Sequence, residues 1–167
     1  MKTRNRAANA LRSTAFHEAG HVVASIWLQR PFKYVTIEPA GDALGHMQGW
    51  VPGKWFRPDM ELTPRVRSLI DAEVSVLFAG GIAEKRHVGR SNRHSTRSDY
   101  SALVDLALYV GGDERTTNAY VKWRQFAAEA LIDFHWSEVE QLANALLDQK
   151  RMTSTEVRAV LFPELKR

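Results

Sequence analysis

Apolar residues recur at three- and four-residue spacing between Ser13 and Arg30, through Phe16, Ala19, Gly20, Val23, Ile26 and Trp27. This period predicts an α-helix that Ser13 or Thr14 would cap and Pro31 would stop. From Val22 to Leu28 nearly every position is apolar, so the helix is expected inside the domain rather than on its surface. Tyr34-Val35-Thr36-Ile37 is β-branched and aromatic and runs into Pro39-Ala40-Gly41-Asp42, a strand followed by a turn. Leu44 to Val51 carries Gly45 and Gly49 and closes at Pro52-Gly53, which suits a second strand at a sheet edge. Helical spacing returns at Thr63-Pro64, a cap followed by a first-turn proline, and passes through Val66, Leu69, Ile70, Val74, Leu77 and Phe78 to Gly80-Gly81, read as its end.

Gly89 to Arg97 has no apolar period and is expected to be an exposed loop. Ser98 would then cap a helix with Asp99 in its first turn, running through Leu103, Leu106 and Ala107 to Gly111-Gly112. Asp113 to Gln149 reads as one long helix or two consecutive ones with a kink near Phe134 to Ser137, and Thr153 to Leu161 as a last short helix. The sum is a mainly α fold with a small β-sheet (α+β), one domain over 1–167 whose residues 1–12 form a flexible basic N-terminus.

Composition narrows the chemistry. The 167 residues are 44% hydrophobic and 25% charged, within the range of a single globular domain. Cysteine is absent, which excludes disulfides, thiolate zinc sites and cysteine nucleophiles, so any metal must sit on nitrogen and oxygen. The longest uncharged apolar stretches, Val22–Leu28 and Val74–Ala83, fall short of the roughly 20 residues of a membrane-spanning helix. The basic N-terminus (Lys2, Arg4, Arg6, Arg12) lacks the apolar core of a secretory signal, and a cytoplasmic location is expected. A net charge of +4 with Arg86, Arg90, Arg93 and Arg97 in one stretch raises nucleic acid as a partner. No stacking motif or nucleic-acid fold accompanies these arginines, and a solvated segment accounts for them.

The first helix carries His17-Glu18-Ala19-Gly20-His21, an H-E-x-x-H pattern. Residues four apart lie about 40° from eclipsed on a helix, so His17 and His21 can share one zinc ion. Glu18 projects about 100° round the helix from His17, placed to act as general base on water that the metal acidifies. Catalytic zinc usually takes three protein ligands. The metzincin pattern is excluded because Ala24 and Trp27 stand where it needs glycine and histidine. The residues themselves leave the third ligand open among Glu73, Glu84, Asp99, His46, His87 and His94.

The chain resembles the peptidase domain of the FtsH family, zinc proteases fused behind an AAA ATPase ring. The resemblance rests on Phe16 to His21, Val35-Thr36-Ile37-Glu38-Pro39, Ala43-Leu44-Gly45, Leu77 to Glu84, Ser98-Asp99 with Leu106-Ala107, and Ala143 to Leu147. It implies a zincin-like helical domain with Zn2+ as cofactor and Asp99 as third ligand. It also implies that Leu44 and Gly45 border the substrate cleft, where an extended peptide could add to the sheet edge. Departures lie at Ile82 and Lys85, and in the arginine-rich stretch before Ser98. The expected function is a zinc metalloendopeptidase acting on peptides or unfolded protein. The alternative is a zinc-stabilised binding or regulatory domain descended from a peptidase. The chain reads as a stand-alone relative without the ATPase module or membrane anchor, to be served by a separate ATPase or adaptor. The family's hexamers raise a homo-oligomer as a further expectation.

Overall fold

A computed structural model of the chain describes residues 2–39, 45–49, 52–89 and 93–166, with side chains at 8–39, 45–49, 52–89 and 96–164. In chain order it comprises α1 (Lys2–Trp27), β1 (Phe32–Thr36), β2 (His46–Gly49), α2 (Pro64–Val88), α3 (Arg93–Gly111), α4 (Glu114–Phe134), α5 (Trp136–Gln149), β3 (Arg151–Thr153), α6 (Ser154–Leu161) and a 3-10 turn, Pro163–Lys166. The fold is mainly α with a small antiparallel sheet, as the apolar pattern predicts.

In α1 every residue from Ala15 to Ser25 is buried, because α2, α5 and the sheet pack around it. Phe16, Val22, Val23, Val35, Val76, Ala79, Ala83, Leu142, Leu146 and Met152 form this core. A second cluster, Val66, Ile70, Val74, Leu103, Ala107, Tyr120 and Val121, joins the first half of α2 to α3 and α4. The sheet has the order β2-β1-β3, so β2 and β3 are its edges. Val35 pairs with Met47 on one side and Met152 on the other.

Several boundaries differ from the sequence reading. The helix expected from Ser13 begins at Lys2, so Ser13 and Thr14 are interior residues, the histidines sit mid-helix, and the basic stretch expected to be a flexible N-terminus forms the first turns of α1. Gly80-Gly81 does not end α2; the helix passes through both and stops at Gly89, whose φ of 75° suits a residue without a Cβ. Thr63 does cap it, accepting a hydrogen bond from Val66 N. The loop expected up to Arg97 is helical from Arg93. Ser98 is therefore no cap, and Asp99 lies in the second turn, beyond the reach of the first-turn dipole argument. The kink expected near Phe134 is a break at His135 between α4 and α5.

Candidate metal centre

α1, α2 and α3 meet where His17, Glu18 and His21 are buried at 4%, 5% and 7% exposure. The approach depends on residues without bulk. A Cβ on Gly20 would lie 2.5 Å from the Ala79 carbonyl oxygen, and one on Gly80 would lie 2.6 Å from His21 Cε1 and closer still to Nε2. Gly80 is thus the floor on which the His21 ring rests, which explains a glycine at this position inside a helix.

Both imidazoles are held by their Nδ1 atoms. His21 Nδ1 is 2.8 Å from the Val76 carbonyl oxygen, to which it donates, and His17 Nδ1 is 3.3 Å from Glu84 Oε2. Glu84 is in turn fixed by a short hydrogen bond from Ser13 Oγ. With Nδ1–H directed at acceptors, each neutral ring turns its Nε2 lone pair inward, the tautomer that metal-binding histidines take.

The two Nε2 atoms lie 3.0 Å apart, and Asp99 Oδ2 lies 3.1 Å from His17 Nε2 and 3.4 Å from His21 Nε2. Asp99 Oδ2 is buried without a hydrogen-bond partner in that arrangement. Three lone-pair atoms facing one another require a positive charge among them. Ligand atoms about 2.0–2.1 Å from a tetrahedral ion stand about 3.3 Å apart, and the three observed separations fall within a few tenths of that. Among the described residues this His-His-Asp group could hold a metal ion, and its N and O donors suit zinc.

Without an ion, a proton fills the role. Burial works to lower the His17 pKa, but hydrogen bonds to Asp99 and Glu84, with the charges of Glu18 and Asp99, outweigh it and push the pKa up to about 10. Burial likewise works to raise the Asp99 pKa and is overcome by His17 and His21, which hold the carboxyl well below its usual range. A raised folded-state pKa means that the His17 proton stabilises the metal-free fold fully below its ordinary value of 6.5, and that this contribution is lost as pH rises through about 10. Zinc must displace that proton. Zinc affinity is therefore expected to rise up to about tenfold per pH unit through the neutral range, with release of about one proton per ion, measured by chelator-buffered zinc titration and by proton release in weak buffer.

Glu18 stands beside these three atoms without joining them. Burial raises its pKa above the ordinary carboxylate value against the opposing pull of His21 and His17. The backbone at Gly45 closes over it, since a Cβ there would lie 2.8 Å from Glu18 Oε1 and 2.6 Å from Thr14 Cγ2. The structure thus places Gly45 at the carboxylate, where β2 begins, while Leu44 lies outside the described residues. The other candidates go elsewhere. Glu73 pairs with Arg30, and His87 stacks on Phe16 and accepts from Arg12 Nε. His46 is exposed on β2, near enough for its charge to act on Glu18; the His94 side chain is outside the described set. Sequence reasoning missed the Val76 carbonyl and the place of Gly80, and counted Glu84 only as a possible ligand.

No protein-family model matches the chain. It is 31% identical over 96% of its length to "ATP-dependent zinc metalloprotease FtsH 1" of Symbiobacterium thermophilum. It is 27% identical over 90% of its length to "ATP-dependent zinc metalloprotease FTSH 9, chloroplastic/mitochondrial" of Oryza sativa subsp. japonica, and 26% over 90% to its FTSH 11 counterpart in Arabidopsis thaliana. The chain spans 30%, 22% and 21% of the lengths of these curated relatives. Along nearly its full length, the chain resembles the FtsH-type zinc metalloproteases.

Proposed function

We propose that the chain is a zinc-dependent metallopeptidase domain that hydrolyses peptide bonds with Glu18 as general base. The observation that carries this reading is the convergence of His17 Nε2, His21 Nε2 and the unpartnered Asp99 Oδ2 beside a buried glutamate. These three atoms would hold the ion, and bound zinc would supply Lewis acidity, polarising a carbonyl and acidifying water. Glu84 and the Val76 carbonyl keep the rings in register, so the site needs little rearrangement to act. Glu18, with its pKa raised by burial, takes the proton from the attacking water and returns it to the departing amine. β2 offers an edge with no strand on its outer side among the described residues. An extended peptide adding there would run past Gly45 and across the Glu18 carboxylate.

The test is zinc analysis of the purified chain paired with digestion of an unfolded protein. The expected result is about one zinc per chain, with cleavage that is abolished by a chelator and restored by zinc. Zinc bound at that stoichiometry with no turnover on any unfolded protein or peptide library would replace the peptidase by the zinc-stabilised binding domain.

A further inference from the structure

α4 buries Thr117, Tyr120, Val121, Ala128 and Ile132 against the rest of the domain. At about 100° per residue, Ala119, Trp123, Phe126, Ala130 and Phe134 fall together on the opposite face, and all five are exposed. Trp123 and Phe126 are each 56% exposed and Phe134 is 83% exposed. Three rings exposed to this degree present on the order of 400 Å2 of apolar surface, as large as the biggest patch on a typical monomer and the kind that marks an interaction site. None of these residues touches the metal centre.

Two regularities indicate what covers the stripe. Reversed about the midpoint between Phe126 and Ala127, it sets a large side chain opposite a small one at each level: Ala119 with Phe134, Trp123 with Ala130, and Phe126 with Ala127. Such alternation lets two helices interdigitate. The charges beside the stripe also separate along its length, with Arg115 and Lys122 in the N-terminal half and Glu129 and Asp133 in the C-terminal half, all on one flank. A twofold axis perpendicular to the helices keeps that flank on the same side in both copies. It brings Lys122 alongside the partner's Glu129 and Asp133, which within the chain are contacted by Gln125 and Arg86. A parallel pairing would stack each ring on its own copy and send the two flanks to opposite sides.

We propose that α4 is a self-association face through which two copies of this chain pair antiparallel, about an axis passing between Phe126 and Ala127. A stable dimer takes about 800 Å2 from each partner. The three rings supply about half of that on their own area, and the alanines and flanking side chains lie within the same contact. The partner is thus a second copy, met by the same patch on both sides.

Sedimentation of the full chain over a wide concentration range tests this. The expected result is a monomer–dimer equilibrium that Phe126→Glu weakens at least about 100-fold, with unchanged thermal unfolding of the monomer to verify the fold. Because the chain has no cysteine, single cysteines report the orientation. Ala127→Cys should cross-link to itself on mild oxidation. Ala119→Cys should not, its two copies standing about 22 Å apart along the helices. A wild-type chain that stays monomeric throughout would overturn the proposal and leave the stripe to a different protein. So would a dimer indifferent to Phe126→Glu, or Ala119→Cys cross-linking as readily as Ala127→Cys.

Discussion

Replacing Glu18 by glutamine is expected to lower peptide hydrolysis at least about a thousandfold while zinc content stays at the wild-type level. The substitution preserves the shape of a side chain that is almost wholly enclosed, so Gly45 keeps its close approach to it. What it removes is the ability to take a proton from water. Metal content should hold because the three converging atoms belong to His17, His21 and Asp99. Parallel zinc analysis and single-turnover cleavage of a fluorogenic peptide check both halves. Full activity in Glu18→Gln would end the general-base assignment; zinc lost together with activity would instead make Glu18 part of the metal site.

Gly80→Ala is expected to cost the site its metal without costing the chain its fold. The added Cβ would occupy the space of the His21 ring, and the α2 backbone around it is held by Ala79 and Ala83 in the core. The ring is the part that can move. Rotating away breaks the bond from Nδ1 to the Val76 carbonyl and takes Nε2 out of reach of His17 and Asp99. Losing an outer partner of a metal ligand costs about 10–100-fold in affinity, and losing the ligand should cost more than that upper bound. In the interior of a helix alanine is otherwise preferred over glycine by about 1 kcal/mol, so thermal unfolding of the metal-free variant should change little. Wild-type zinc affinity in Gly80→Ala would show that the ring accommodates the methyl group in place.

The parts of this architecture written in side-chain periodicity were legible in the sequence. The buried run of α1, Thr63 and Pro64 at the start of α2, and β1 each follow from a local pattern that burial then satisfies. The first turns of α1 were not, because Arg4, Asn5 and Arg6 form no apolar stripe; the signal was the helix-favouring Ala7, Ala8, Ala10 and Leu11. β3 escaped notice because Arg151-Met152-Thr153 is too short to display a period, and it exists by pairing with β1. Gly80-Gly81 reads as a stop signal in one dimension, whereas in three Gly80 acts as a packing surface for His21. Similarly, the spacing of His17, Glu18 and His21 brings its own geometry, whereas Asp99 reaches the histidines only because α3 packs against α2 beside α1, and its place was implied by family resemblance alone. Glu84 differs again: a carboxylate six turns into an apolar helix is conspicuous, but that it orients His17 depends on how α1 lies against α2.

The His-His-Asp group draws its members from residues separated by most of the first hundred positions, in a chain with no cysteine to tie distant segments together. An ion held there would act as a rivet between the first helix and the third, closing a loop of about eighty residues that nothing covalent closes. The repulsion among the three lone pairs would then become the device that keeps α3 seated. Metal supply would govern the stiffness of that seam as well as any chemistry performed beside it.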